Sequence, residues 1–309
     1  MTSARVGIAE GPDLDPDGER VALSVDAFAL LDLPVPAAFD VPGSRRQILV
    51  DAGDGVVAYT VAAAAGSDAV VLMGPAARDR LRLPELPGSP VEVTTDILGS
   101  CELLETTVLR SCANVAVVAP HGGFIEDETD TQAELVASDP RIRADSWICR
   151  APAGGAFRRW HITSDDLSEA SFGGLRALLN ARHDYAVSFH GFGSVDNVDL
   201  VVGGRLDKEI RRTVRDELER RLVAVLGRPV SVLLATSKDD PHPGLLPDNV
   251  VNRLATQGGL QIEQASVLRR SPEATQTVAA VVLEGLAALA APPPAGVTYG
   301  SHGPVIRGG

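Results

Sequence analysis

Aromatic side chains are scarce in this sequence of 309 residues, of which Phe, Trp and Tyr make up only 4%. Hydrophobic residues nevertheless account for 45%, and charged residues for 22%, which is typical of a folded globular protein and not of a disordered chain. The core must therefore be built mainly from small aliphatic side chains. A chain of this length can hold one large domain or two smaller ones.

Cysteine is also rare, and the three cysteines follow no CxxC spacing. This excludes a disulfide framework and a zinc–thiolate site, and it favours a reduced compartment. The first ten residues lack the apolar segment of a secretory signal. An alanine-rich run near residue 290 is interrupted by Glu284 and Gly285, which makes it too short to span a bilayer. We therefore expect a cytoplasmic protein with no membrane partner.

An excess of positive charge is the third feature that is missing. The sequence has 28 Lys and Arg residues against 41 Asp and Glu residues, a net charge of −13. Nucleic-acid binding depends largely on a basic surface, so this class of function is excluded. The same charge predicts only weak long-range attraction for anionic substrates.

Histidine is absent from the first 120 residues, where the pattern is one of short β-like runs separated by turn clusters. We predict a flexible acidic leader over residues 1–18 and a small β-rich domain over residues 19–108. Because this domain has no histidine, it offers little for catalysis. A lid, a specificity domain or an assembly domain is the interpretation that remains.

Apolar strands alternate with helices from residue 109 onward. A stripe of apolar residues with a spacing of four predicts a long helix over residues 206–226. Ser271, Pro272 and Glu273 provide a capping residue, a proline in the first turn and an acid near the helix dipole, so a last helix begins there. The pattern predicts an α/β catalytic domain over residues 109–291, with a mostly parallel or mixed sheet covered on both faces, and a flexible tail over 292–309.

His121 follows a short buried strand that Pro120 ends, and two glycines behind it allow a sharp turn. Glu126 lies five residues later, so on a glycine-hinged loop the imidazole and the carboxylate can converge on one point. Such a pair suits zinc. An ordinary polar loop is the alternative, and the zinc hypothesis therefore needs a third ligand.

His190 supplies that ligand, because it ends a second predicted strand over residues 185–189. Ligands gather at the carboxyl ends of strands in open α/β sheets, and His121, Glu126 and His190 would form a His/Glu/His zinc site with an open position for water. A carboxylate outside the metal shell must then move the proton of that water. Glu263, at the end of another predicted strand, is the candidate; a solvent-facing residue on an edge strand is its alternative.

Several segments in a fixed order resemble the poly-γ-glutamate hydrolase family, first known from phages and related to zinc carboxypeptidases. They are His121-Gly-Gly-Phe-Ile-Glu126, Trp160-His-Ile-Thr-Ser164, Val187-Ser-Phe-His-Gly191, Val202-Gly-Gly204, Asn249-Val-Val-Asn-Arg253, Gly259-Leu-Gln-Ile-Glu263 and Leu268-Arg269. The resemblance covers roughly residues 114–270 and leaves the N-terminal domain unexplained.

This resemblance implies a three-layer α/β/α carboxypeptidase-like domain, one zinc ion per chain and hydrolysis of γ-glutamyl amide bonds. It assigns the same three zinc ligands and makes Glu263 the general acid/base. Asn252, Arg253 and Arg269 are similar to residues that could hold substrate carboxylates or the oxyanion. His161 is a further candidate, for substrate binding, a fourth metal position or a proton shuttle. Alternatively, His161 is a hydrogen-bonded histidine that fixes the loop next to the metal site.

Three functions are compatible with these observations. The first is a zinc-dependent amidohydrolase acting on γ-glutamyl bonds. The second is a zinc-dependent peptidase or deacylase acting on a different small metabolite or peptide, which two departures from the family pattern favour, at residues 127–130 and 149–152. The third is a catalytically inactive zinc-binding or interaction protein. We expect a substrate that carries carboxylates, and the sequence does not specify an oligomeric state.

Overall fold

A computed structural model describes residues 4–40, 44–53, 55–82, 88–195 and 197–290. These residues form two separate β-structures, a closed six-stranded barrel and a seven-stranded mixed sheet. The chain is therefore an α/β protein in which a β-rich unit precedes a larger unit of strands and helices.

The barrel has the strand order β1-β5-β2-β4-β3-β6. Its strands are β1 (Ala4–Glu10), β2 (Arg20–Leu23), β3 (Arg46–Asp51), β4 (Val56–Ala64), β5 (Val70–Met73) and β6 (Pro90–Thr94), and its short helices are α1 (Val25–Leu30) and α2 (Pro75–Arg80). Two pairs are parallel, β1 with β5 and β2 with β4. Because every strand has two neighbours, the barrel leaves no open edge.

The predicted flexible leader over residues 1–18 is wrong over residues 4–10, which form strand β1. Ala4, Val6 and Ile8 alternate inward and join the barrel core, while Arg5 faces solvent. This strand pairs with both β5 and β6 and closes the barrel. The acidic and glycine-rich composition of the segment concealed a period-two apolar pattern.

The seven-stranded sheet has the order β12-β11-β13-β10-β8-β9-β7. Its strands are β7 (Leu104–Val108), β8 (Val115–Gly123), β9 (Ala144–Ala151), β10 (Tyr185–Phe192), β11 (Leu200–Gly204), β12 (Val232–Leu234) and β13 (Gly259–Ala265). Strands β9, β8, β10 and β13 are parallel neighbours, whereas β7 and β11 run antiparallel to β9 and β13. The sheet is therefore mixed, as predicted.

Two hydrophobic cores lie against this sheet. The first contains residues of α3 (Thr129–Ser138), α6 (Lys208–Leu226) and α9 (Pro272–Ala290). The second contains residues of α4 (Ala156–Trp160), α5 (Gly173–Ala181) and α7 (Val250–Arg253), together with Leu49 and Ala58 of the barrel. The last short helix, α8 (Ser266–Arg269), follows β13 directly. The barrel thus packs against the second core.

The predicted boundary between the two units differs from the structure. Strand β7 begins at Leu104 and belongs to the large sheet, so the two units meet between residues 94 and 104 and not at 108. Residues 291–309, the predicted flexible tail, lie outside the described part of the chain.

Helix α9 is long and apolar enough to cross a membrane by length and composition, but eight of its residues are buried in the protein.

Candidate active site

His121 lies at an irregularity of the sheet. The register between β8 and β9 shifts between Ala119 and Gly122, and His121 stands inside that shift. Bulges of this kind redirect side chains next to active sites. Gly123 then adopts a left-handed conformation, φ +66°, in which an added Cβ would lie 2.5 Å from the carbonyl oxygen of Ala151. A glycine is therefore required two residues after the histidine.

His190 and Glu263 are paired positions on the parallel neighbours β10 and β13, so their side chains point to the same face. The residue after His190 is Gly191, where an added Cβ would lie 2.2 Å from Nε of Arg269. The backbone N–H of Gly191 donates to Oε2 of Glu126 at 2.9 Å. The close packing of Arg269 against the backbone of β10 thus helps to fix both a histidine and a carboxylate.

Three potential metal ligands meet at this point. Nδ1 of His121 lies 3.1 Å from Oε1 of Glu126 and 3.2 Å from Nδ1 of His190. Nδ1 of His190 lies 3.7 Å from Oε2 of Glu126. Two ligand atoms on a tetrahedral zinc ion, each at about 2.0–2.2 Å, are separated by roughly 3.3–3.6 Å. The observed separations of 3.1, 3.2 and 3.7 Å lie just outside this range, by about 0.2 Å at most.

The outer nitrogens of both histidines are held by the segment that follows α4. Nε2 of His121 lies 2.8 Å from the carbonyl oxygen of Ile162, to which it can only donate, and Nε2 of His190 lies 3.3 Å from Oγ of Ser164. With Nε2 protonated, the lone pairs of the two Nδ1 atoms face each other and a carboxylate. A cation between them removes that repulsion, so the donor set fits a zinc ion.

His161 is the fourth member of the cluster. Its Nε2 lies 3.4 Å from Oε1 of Glu126, and with His121 and Glu126 it forms a group whose ligand atoms all lie within 4.8 Å of one another. Its Nδ1 is hydrogen-bonded to Glu19 of the barrel. Burial opposes protonation of this imidazole, but the carboxylates of Glu19 and Glu126 raise its pKa to about 10.

The two buried carboxylates of the site have opposite pKa shifts. Burial favours the protonated form of Glu126, but the facing imidazoles of His121, His161 and His190 hold its pKa well below the usual value. Burial raises the pKa of Glu263 well above the usual value, and the nearby carboxylate of Glu126 raises it further. Carboxylates whose pKa values are pushed apart in this way are typical of metal–ligand and acid/base roles in one site.

One cavity of about 910 Å³ is lined by all five residues of the site, His121, Glu126, His161, His190 and Glu263. Its wall combines acidic groups from both units of the chain with three basic side chains, and its apolar contacts come from aromatic and aliphatic residues. The acidic residues are Asp17, Glu19, Glu126, Asp165 and Glu263; the basic ones are Arg80, Arg158 and Lys238; the large apolar ones are Phe157, Phe192, Leu245 and Leu246. The wall accordingly contains five carboxyl side chains against three Lys and Arg side chains.

The predicted substrate-binding residues Asn252, Arg253 and Arg269 do not line this cavity. The amide of Asn252 donates to the carbonyl oxygens of Gly244 and Leu246. Arg253 donates to the carbonyl oxygen of Leu167 and to Glu169. Arg269 donates to the carbonyl oxygens of Gln264, Asp127 and Phe192. These contacts favour structural roles, and binding of substrate by the three residues stays a prediction.

The structure also gives the positions of two further histidines and one glutamate that were not predicted as site residues. His183 is buried, and its Nε2 lies 3.0 Å from Oδ2 of Asp145. His242 is an exposed loop residue but stacks on Phe192 at the cavity wall, with the rings 11° from parallel. Glu19 was missed because no spacing in the sequence relates it to His161; only the fold brings the two together.

A sequence model of the family described as poly-γ-glutamate hydrolase matches residues 104–277, which is more than half of the chain. The protein belongs to the poly-γ-glutamate hydrolase family. The match covers the seven-stranded sheet with His121, Glu126, His161, His190 and Glu263, and it leaves the barrel outside. The predicted family resemblance is thus confirmed.

Two relatives come from Bacillus subtilis (strain 168). The UPF0714 protein YndL is 30% identical over 158 residues, 51% of this chain and 55% of YndL. The SPbeta prophage-derived UPF0714 protein YoqZ is 29% identical over 181 residues, 58% of each chain. This chain therefore spans little more than half the length of these relatives.

Two solved structures are similar at 23% sequence identity. A bacteriophage poly-γ-glutamate hydrolase aligns with a TM-score of 0.49 over 61% of this chain and 89% of its own. The zinc-free apo form of YndL aligns with a TM-score of 0.46 over 60% of this chain and 90% of its own.

Proposed function

We propose that the protein is a zinc-dependent amidohydrolase that cleaves γ-glutamyl or similar amide bonds. The observation that carries this proposal is the convergence of the two Nδ1 atoms and the Glu126 carboxylate within 3.1–3.7 Å, directly beside a buried Glu263. Membership of a hydrolase family and the existence of a zinc-free form of YndL support the same conclusion. A carboxypeptidase-like three-layer arrangement of the large unit is part of this proposal.

His121, Glu126 and His190 would hold one zinc ion. When bound there, zinc lowers the pKa of its water to about 7 and polarises the substrate carbonyl. The remaining steps are carried out by side chains of the protein. They require a base that lies close to the zinc site, is shielded from solvent and is not itself a zinc ligand.

Glu263 meets this description. Its Oε1 accepts a hydrogen bond from Nε2 of Gln261 at 3.0 Å, which orients the carboxylate and leaves Oε2 for proton transfer. Glu263 would take the proton of the attacking water and deliver it to the nitrogen of the leaving amine. Burial of the carboxyl favours its protonated form, which is the form that donates in the second step.

The charge of the cavity favours a second candidate substrate class. Arg80 and Arg158 both donate to backbone carbonyl oxygens, so among the described residues of the cavity wall Lys238 is the cation left for a substrate carboxylate. A polyanion would place a carboxylate on every residue in a cavity whose wall also contains Asp17, Glu19 and Asp165. An amide with one or two carboxylates and an apolar group, facing Phe157 and Leu246, fits this lining better than poly-γ-glutamate does.

A substrate panel with a single variant tests the proposal. Purified protein loaded with zinc is assayed on poly-γ-glutamate, on short γ-glutamyl amides and on N-acyl amino acids. We expect hydrolysis of at least one of these classes, and a loss of more than about 100-fold in kcat for Glu263→Gln, because general acid/base catalysis contributes 10²–10⁴-fold. The variant should retain one zinc ion per chain.

Two results would contradict the proposal in different ways. An inactive Glu263→Gln protein without zinc would mean that Glu263 belongs to the metal shell. Zinc-loaded protein that is inert towards every class would favour the third possibility, a zinc-binding protein without catalysis. Preference for a short, singly charged amide over poly-γ-glutamate would select the second substrate class.

A further inference from the structure

The short loop of residues 161–164, here called the site loop, lies between the barrel and the candidate metal ligands. On one side it holds the outer nitrogens of the two histidines: the carbonyl oxygen of Ile162 accepts from His121, and Ser164 is hydrogen-bonded to His190. The orientation of both imidazoles therefore depends on where this loop stands. Nothing in the sequence of the loop fixes its position by itself.

On its other side the site loop is held by Glu19, a residue of the barrel unit. One carboxylate oxygen of Glu19 is bonded to Nδ1 of His161, and the other accepts the backbone N–H of Thr163 at 2.8 Å. The two partners are separated from Glu19 by more than 140 residues along the chain. A single buried carboxylate thus grips the loop at two points.

Glu19 is itself firmly anchored in the barrel. Its backbone N–H donates to Oδ1 of Asp15 at 2.9 Å, and its carbonyl oxygen accepts from the N–H of Thr60 in β4 at 2.8 Å. Its side chain is only 8% exposed. The carboxylate is therefore a fixed point from which the loop can be positioned, and not a mobile surface group.

Arg80 at the end of α2 reinforces the same contact. Its guanidinium donates to the carbonyl oxygen of His161 at 3.1 Å and to that of Arg158 at 2.9 Å, and within the barrel to those of Gly18 and Ala58. Because Gly18 precedes Glu19, this arginine ties the backbone of both partners together. The barrel thus holds both the side chain and the backbone of His161.

We propose that Glu19 is a positioning residue of the zinc site: through the site loop it keeps His121 and His190 oriented as ligands, so the barrel completes the metal centre of the adjoining unit. This inference rests on the proposed function. It also explains why both carboxylate oxygens of Glu19 are hydrogen-bonded to the site loop, which leaves neither of them for substrate.

The test uses the full chain and the metal alone as its probe. Zinc affinity is measured by competition with a chelating dye, and the geometry of the site by the visible absorption of the cobalt-loaded protein. Glu19→Gln should weaken zinc binding by about 10–100-fold, the usual effect of losing an outer-shell partner, and should change the cobalt spectrum. Glu19→Asp, which retains the charge, should restore part of the affinity.

Two control variants separate positioning from simple attachment of the barrel. Asp166→Asn breaks a different contact between the same two units, since the carboxylate of Asp166 binds Arg20 and Arg45. The backbone N–H of Asp166 donates to the carbonyl oxygen of Thr163 in the site loop, and the variant keeps this hydrogen bond. It should lower thermal stability without changing the cobalt spectrum. Glu92→Gln, on the outside of the barrel opposite Arg5, should change neither quantity.

The outcomes are distinct. Wild-type zinc affinity and an unchanged cobalt spectrum in Glu19→Gln would overturn the inference and leave the proposed function intact. Equal losses of zinc affinity in Glu19→Gln and Asp166→Asn, each in proportion to lost stability, would also overturn it. If the wild-type chain bound no zinc at all, the proposed function would fail, and the inference with it.

Discussion

At the scale of single residues, the site depends on which nitrogen of each histidine is already engaged. The site loop occupies Nε2 of His121 and of His190, and Nδ1 of each is thereby directed to Glu126. His161 has the opposite arrangement, because Glu19 holds its Nδ1 and its Nε2 faces Glu126. Three imidazoles are thus oriented by partners that lie outside the ligand set.

Activity should depend on pH through Glu263. Its pKa is raised above the ordinary 4.5 by burial, and burial persists when zinc is bound. A base must be deprotonated to accept a proton, so kcat/KM should rise with pH through the raised pKa, and the acid limb of the profile should lie above pH 4.5. The profile is measured together with zinc content at each pH. Loss of zinc along the same limb would instead indicate protonation of the ligands.

The sequence predicted those residues of the site that have a signal in their own segment of the chain. It missed Glu19, whose contacts depend on how the two units pack. His121, His190 and Glu263 were identifiable because each follows an apolar run, and the carboxyl ends of strands in such sheets collect ligands. In the structure each strand continues for two residues beyond them, so the predicted strand end at Pro120 is wrong. Substrate binding by Arg253 and Arg269 stays a prediction, because a sequence shows the charge of a guanidinium but not the carbonyl oxygens to which it donates in the structure. Glu19 could not be found, since its partner lies on a different fold unit.

At the scale of elements, the site depends on close backbone packing along β10. Gly191 leaves room for the guanidinium of Arg269, which three carbonyl oxygens hold in place. The same glycine donates its N–H to Glu126. Strand β10 therefore positions both its own His190 and the carboxylate of Glu126.

A methyl group at this position should be costly. In Gly191→Ala the new Cβ would overlap the pinned guanidinium of Arg269, and we expect a loss of about 1–3 kcal/mol in the free energy of unfolding, as for other overpacked sites. Chemical denaturation measures this loss. Gly193→Ala is the matched control, because no atom lies within 4 Å of the added Cβ, and it should leave the denaturation midpoint unchanged. Equal stability of the two variants would refute the packing argument.

Elements were predictable in proportion to their length and periodicity. The buried strands of the large sheet and the long helices α6 and α9 follow from apolar runs and a spacing of four. The single-turn helices α4, α7 and α8 have no such signal, because four or five residues cannot show a helical period. These short helices flank the site loop and Arg269, so the missed elements lie close to the candidate chemistry.

At the scale of the whole molecule, the barrel and the large unit share buried polar contacts as well as apolar ones. The carboxylate of Asp166 is completely buried and binds Arg20 and Arg45, and Gln47 donates to the backbone of Asp166 at 2.8 Å. Sequence patterns describe each unit separately, and they contain nothing that predicts how two units pack. For this reason, the sequence could not predict that the barrel forms part of the cavity wall.

Removing the charge of Asp166 should weaken the whole molecule. In Asp166→Asn two arginines lose a buried partner, and we expect a loss of about 3 kcal/mol in the free energy of unfolding, the lower end of the range for broken buried pairs, because both guanidinium groups are partly exposed. Differential scanning calorimetry measures it. Asp139→Ala, which removes an exposed pair with Arg141, should leave the transition in place. An unshifted transition in Asp166→Asn would contradict a stabilising role of the contact.

The most direct measurement of the central claim is anomalous diffraction at the zinc edge from crystals of the full chain grown with zinc. The account predicts one strong peak per chain, at about 2.0–2.2 Å from Nδ1 of His121, Nδ1 of His190 and the carboxylate of Glu126, with Glu263 outside the ligand set. A peak at other residues, or no peak between these three side chains, would contradict it.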